Sequence, residues 1–271
     1  MANIKTRLNT SILYKKTDWP YQHDSMIPNT SSNYYGPDNE RLHERNKKYQ
    51  DSSWIYNNKE INYNFNSLGL RMSNEVDLTK DLIYFSGTSY TLGIGVDEKD
   101  RYTDILSKEL DTPMLSYAGP TYSTKLQVIS FFNYVNLHGA PKSACFEFPP
   151  AHGYTFFTDH FAFTFTGSHR PKCNYVEPYE LLERTDFLQN EAEIYVNMLE
   201  VFCKTNNIPL TMFSYFPTTL PIIRINIDLL GIEDNNEKFA RDICKQNGTI
   251  SGHPGIGVHR HTADVLKDRL L

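Results

Sequence analysis

The chemistry of this chain starts at a hydroxyl. Ser89 stands just past a short apolar run, residues 82–85 (Leu-Ile-Tyr-Phe), long enough for one buried strand. Gly87 precedes it, and Gly93 and Gly95 follow, so the backbone can turn sharply and let a substrate approach. Open α/β sheets keep their chemistry past the carboxyl end of a central strand. A serine in that place is a candidate nucleophile. The bland alternative is a strand-to-loop turn in which Ser89 is only a turn residue. Serine attacks poorly at neutral pH without a base, and the chain has nine histidines from which one could come. Other chemistries are less well supplied. Cys145, Cys173, Cys203 and Cys244 are scattered with no metal-type pairing. Gly93-Ile-Gly95 lacks the third glycine of a nucleotide loop, and no Walker motif is present. No metal and no cofactor is expected.

The elements that must position Ser89 alternate. Strands are expected over residues 81–86, 113–117, 143–148 and 209–216. Helices are expected over 102–110, 123–137, 180–204, 235–245 and 256–270, and 222–230 reads as a strand or a short helix. Strands alternating with helices argue for a parallel sheet covered on both faces. The run 152–173, rich in Phe, Thr and His, reads as an elaborated loop over the sheet's carboxyl edge. Residues 61–65 alternate apolar and polar, as a strand would.

Residues 1–60 differ in kind. They are rich in Asn, Ser, Tyr and charge, with few aliphatic residues. They are expected to form an N-terminal arm without a core of its own, packed through Trp19, Trp54 and nearby tyrosines onto the main domain of residues 61–271, or onto another chain. Residues 41–48 suit a short charged helix. A homo-oligomer or larger assembly built through this arm follows as an expectation.

Composition excludes several classes. The 271 residues carry a formal net charge of −5, so no basic face for nucleic acid is indicated. No run of about 18 apolar residues exists for a membrane helix. The first residues lack the apolar core of a secretory signal. Cys145 and Cys203 sit in apolar runs and read as buried thiols. A cytoplasmic, reducing location is expected, with a virion component left open.

Four blocks in order give a resemblance. They are Asn66-Ser-Leu-Gly-Leu-Arg71, Tyr84-Phe-Ser-Gly-Thr-Ser-Tyr-Thr-Leu-Gly-Ile-Gly-Val96, Leu115-Ser-Tyr-Ala-Gly-Pro-Thr-Tyr-Ser123, and Gly252-His-Pro-Gly255 before a final helix. Over residues 61–271 this resembles the SGNH (GDSL-like) hydrolases. The resemblance implies a three-layer α/β/α fold of flavodoxin-like type, with Ser89 as nucleophile and His253 as base. It implies hydrolysis of an ester, such as an acyl group on a carbohydrate or other small molecule. The oxyanion donors would be the N–H groups of Ser89 and of Gly119 or Ala118, with His152 lining the site. His259 and His261, on the last helix, read as surface residues.

The departures from the family pattern are specific. Gly-Asp-Ser is here Gly87-Thr88-Ser89. The third strand ends Phe146-Glu-Phe-Pro-Pro150 without the side-chain oxyanion donor. Ile250 stands three residues before His253, where the family has its acid. The nearest upstream carboxylate is Asp242, and Asn247-Gly248 is a turn signal that would let a looped-out segment return Asp242 to His253. Asp242 is therefore the candidate orienting acid. The rival reading is a non-catalytic SGNH-like structural or binding module in a larger assembly, viral or other.

Overall fold

The computed structural model describes residues 22–23, 28–150, 153–157, 161–166, 186–216, 223, 225–227, 235–246 and 249–270. Its centre is a sheet of five parallel strands: β1 (Ile83–Gly87), β2 (Met114–Ala118), β3 (Ser143–Glu147), β4 (Leu210–Ser214) and the short edge strand β5 (Ile225–Asn226). The spatial order is β5-β4-β3-β1-β2. This is the flavodoxin-like order, 2-1-3-4-5, whose switch point lies between β1 and β3. The expected parallel α/β sheet is therefore present, and Ser89 follows β1 at the switch point.

Helices cover both faces because successive strand side chains point to opposite sides. Among the described residues the α-helices in chain order are α1 (Glu40–Tyr49), α2 (Ser89–Leu92), α3 (Tyr102–Glu109), α4 (Thr124–His138), α5 (Phe187–Thr205), α6 (Asn235–Lys238) and α7 (Ile256–Lys267). Tyr84 of β1 meets Phe131 and Tyr134 of α4, with ring centroids 4.8 and 5.0 Å apart. Phe132 of α4 then packs on Phe202 of α5. On the other face Phe85 meets Tyr102 of α3 edge-on, and Tyr102 also touches Phe213 of β4 and His259 of α7. Strands buried on both sides explain the continuous apolar runs of the sequence.

The structure corrects three expectations. Residues 235–245 are not one helix. A single turn, α6, is followed by an irregular segment and by strand Cys244–Gln246, which pairs antiparallel with Thr249–Ser251. Tertiary bonds explain the change: the Ala240 N–H donates to the His253 carbonyl and the Arg241 N–H to that of Gly95. Residues 152–173 contain a hairpin, Gly153–Phe157 with Phe161–Thr166. His259 is wholly buried. Its Nδ1 accepts the Tyr102 N–H at 3.3 Å, and burial pushes its pKa down to about 3.

Trp54 and Tyr56 are buried in a second apolar cluster with Ile61, Tyr63, Phe65, Val96, Ala240, Ile243 and Ile256. Trp19 lies outside the described residues. Strand Thr30–Ser32 pairs antiparallel with Tyr63–Phe65. Among the described residues Cys145 and Cys203 are buried free thiols, and no helix is long and apolar enough to cross a membrane.

Candidate active site

The turn that presents Ser89 is built by sterics. A side chain at Gly87 would put its Cβ 2.0 Å from Thr91 Oγ1 and 2.7 Å from Glu147 Oε2, so only glycine fits. Thr88 caps α2, its hydroxyl accepting the Tyr90 N–H at 3.3 Å. Helix α2 is one turn long, and Ser89 is its first residue. Gly95, a few residues on, has φ +79°, a conformation that glycine adopts without strain. Its carbonyl accepts the Arg241 N–H at 3.0 Å, which ties the Ser89 loop to the segment carrying Asp242.

His253 reaches Ser89 from the loop before α7. Its Nε2 lies 2.9 Å from Ser89 Oγ, and its Nδ1 lies 2.5 Å from Asp242 Oδ2. The other carboxylate oxygen, Oδ1, accepts the His253 backbone N–H at 3.1 Å. Asp242 thus holds both the ring and the main chain of His253. An ionised carboxylate only accepts, so Nδ1 must carry the hydrogen there and Nε2 is left to accept from Ser89 Oγ–H. The Asp242 side chain is 4% exposed and that of His253 16%, so the pair is shielded while the ring stays open at one edge. Tyr90 meets the ring edge-on, with centroids 5.4 Å apart. The antiparallel pairing of Gln246 with Thr249 turns the chain back between Asp242 and His253. Eleven positions of sequence therefore collapse to one hydrogen bond.

Two further residues support the turn, and neither stands out in the sequence. Glu147, the last residue of β3, is wholly buried. Its Oε2 accepts the Thr88 N–H at 2.6 Å, the Thr88 hydroxyl at 2.8 Å and the Thr91 hydroxyl at 3.1 Å. Burial pushes its carboxyl above the usual range, against the pull of those donors. A charge inside the apolar run Ser143-Ala-Cys-Phe-Glu147 is the signal that could have marked it. Arg71 is also buried, and its guanidinium donates to the carbonyls of Asn62, Leu92, Gly93 and Val96. It thereby holds the loop that follows Ser89.

Ala118 ends β2 and packs with Leu92 and Ile94. The Gly119 N–H donates to the Gly87 carbonyl at 3.4 Å, so both residues border the Ser89 turn. His152 lies outside the described residues. Among the described residues no group of three or more His, Cys, Asp or Glu side chains could hold a metal ion.

No protein-family model and no curated protein matches the chain. Solved structures do resemble it. It is similar to the esterase EstA from Pseudoalteromonas sp., at 8% identity and a TM-score of 0.42, covering 70% of this chain and 97% of that one. It is similar to a putative lipolytic protein of the G-D-S-L family from Desulfitobacterium hafniense, at 11% identity and a TM-score of 0.41, covering 71% and 100%. A carbohydrate esterase family 2 enzyme from Corynascus thermopiles is similar at 12% identity and a TM-score of 0.36, covering 73% and 67%.

Proposed function

We propose that this protein is a serine ester hydrolase of SGNH type, with Ser89 as nucleophile, His253 as general base and Asp242 as orienting acid. The observation that carries the reading is the unbroken chain Ser89 Oγ, His253 Nε2, His253 Nδ1, Asp242 Oδ2, with contacts of 2.9 and 2.5 Å. Ser89 Oγ attacks the acyl carbon and its proton passes to Nε2. The oxyanion is held by the Ser89 N–H and by that of Ala118 or of Gly119, the latter turning away from the Gly87 carbonyl to do so. The tetrahedral intermediate collapses, the C–O bond to the alcohol breaks, and the alcohol leaves with the proton from Nε2. Water then adds to the acyl-serine, giving its proton to Nε2, and the carboxylic acid departs as Ser89 recovers that proton. Asp242 stabilises the imidazolium formed in each half.

The substrate class we propose is a small acyl group on a carbohydrate hydroxyl. The aromatic border favours it: Tyr90 lies beside the His253 ring and within 5.3 Å of the Phe216 ring. His152 belongs to this proposal as a lining residue. One oxyanion donor is worth about 100- to 1000-fold in rate, so the departure of the sequence Phe146-Glu-Phe-Pro-Pro150 from the family's side-chain donor predicts a slow enzyme. The test is hydrolysis of a chromogenic acetate ester and of acetylated sugars by the wild type and by Ser89→Ala. Turnover that Ser89→Ala abolishes supports the proposal. A folded wild type without turnover supports a non-catalytic module.

A further inference from the structure

The acid of the proposed site is held from the N-terminal segment, outside the stretch that resembles the SGNH hydrolases. Asp242 sits between two residues whose carbonyls share one donor. Asn46, buried on α1, donates through Nδ2 to the Arg241 carbonyl at 3.1 Å and to the Ile243 carbonyl at 2.7 Å. One side-chain amide thus ties down the carbonyls of the residues before and after Asp242.

A closed ring of bonds joins the same segment to the nucleophile loop. Asp38, wholly buried, accepts from Arg241 Nε at 2.9 Å and from Arg241 Nη2 at 2.8 Å. Arg241 Nη2 also donates to the Asn33 carbonyl, and its guanidinium lies 4.6 Å from the Tyr34 ring centre. Asp38 Oδ2 accepts the Tyr63 hydroxyl at 2.5 Å, and that hydroxyl oxygen accepts the Gly95 N–H at 2.7 Å. The Gly95 carbonyl accepts the Arg241 N–H at 3.0 Å, which closes the circuit. A Cβ at Gly95 would lie 2.6 Å from the Ala240 Cβ, so the two loops touch directly. Beneath them Ala240 and Ile243, two residues before Asp242 and one after, are buried against Trp54 and Tyr56.

We infer that residues 33–56 are a positioning clamp for the catalytic acid, with Asn46 and the Asp38–Arg241 pair setting the place of the Asp242 carboxylate. The inference rests on the proposed esterase reading for its catalytic consequence and on the bonds above for its structural one. Asn46 touches no reacting atom and acts only through the main-chain carbonyls of Arg241 and Ile243, the neighbours of Asp242. Its loss should therefore lower kcat and leave KM nearly unchanged.

The test uses the full chain and the variant Asn46→Leu, which keeps the bulk and removes the donor. Two readouts are taken. One is the low-field proton resonance of the His253 Nδ1–H···Asp242 bond, identified by its loss in Asp242→Asn. The other is the split of kcat and KM on a chromogenic acetate ester. The expected result is a shifted or lost resonance with kcat down about 10- to 100-fold, the scale of a small misplacement of a catalytic group. A folded Asn46→Leu with the wild-type resonance and wild-type kcat overturns the inference. Asn46→Ser, whose hydroxyl can reach only one of the two carbonyls at a time, applies the same readouts if Asn46→Leu does not fold. A wild type that neither hydrolyses esters nor reacts at Ser89 refutes the esterase reading alone. The resonance in the Asn46 variants then still decides the clamp.

Discussion

Replacing Glu147 by Gln tests whether a buried carboxyl props the turn that carries Ser89. Glu147 has no exposed surface, and its Oε2 takes three donors from Thr88 and Thr91. Burial is the larger influence and raises its pKa above the ordinary 4.5. The folded protein therefore holds this proton more tightly than the unfolded chain. Below the ordinary value both states are protonated and the contribution to stability is complete. As pH rises past it, the unfolded chain releases its proton first, and stability falls until the folded carboxyl ionises too. The slope in that window is at most about 1.4 kcal/mol per pH unit for one group. Gln has no proton to release and keeps one acceptor oxygen. At low pH its cost is about 1 kcal/mol, the scale of one imperfect hydrogen bond. The wild-type advantage should shrink steadily as pH rises, and Glu147→Gln should become relatively more stable towards neutrality. Urea unfolding of both proteins from about pH 4 to about pH 8 measures this through the linear dependence of free energy on denaturant. A difference that stays constant across the range would refute the reasoning, because no proton would then be linked to folding at this site.

Two further predictions follow from the same turn. Asp242→Asn should leave the fold intact by circular dichroism but cut kcat by about 1,000- to 10,000-fold, because Asn can favour the wrong tautomer of His253; ester hydrolysis near wild-type rate would count against Asp242 as the acid. Gly87→Ala places its new carbon 2.0 Å from Thr91 Oγ1, and backbone adjustment there should cost about 1–3 kcal/mol in urea unfolding and slow turnover as well. A stable, fully active Gly87→Ala would mean the turn has more room than these contacts allow.

The sheet is legible in the sequence because its signals are local. Residues 83–87 open on the apolar run Ile-Tyr-Phe and are buried on both faces, as a central parallel strand is. His259 also had a local signal. It lies three residues after Ile256, three before Thr262 and four before Ala263, on the buried stripe of α7. Residues 235–245 mislead because Phe239 and Ile243 are four apart, which a helix satisfies. Bonds to Gly95 and His253 outweigh that propensity. Asp38, Asn46 and Arg241 are harder. Asp38 pairs with Arg241, and Asn46 with its neighbours, across about 200 positions, and no periodicity or short motif encodes such a contact. Asp242 is nearer to legible, because a two-residue turn signal separates it from His253 and shortens the search to one carboxylate.

The most direct measurement is covalent labelling of the folded 271-residue chain by a serine-directed phosphonate, with the modified residue located by peptide mass spectrometry. Labelling reports an activated hydroxyl whatever the natural substrate is, since it needs only the Ser89–His253 contact of 2.9 Å and the donors around it. A triad at this site predicts a single adduct on Ser89, lost in His253→Ala and slowed strongly in Asp242→Asn. An unlabelled Ser89 in a folded protein, or labelling that survives His253→Ala unchanged, would contradict it.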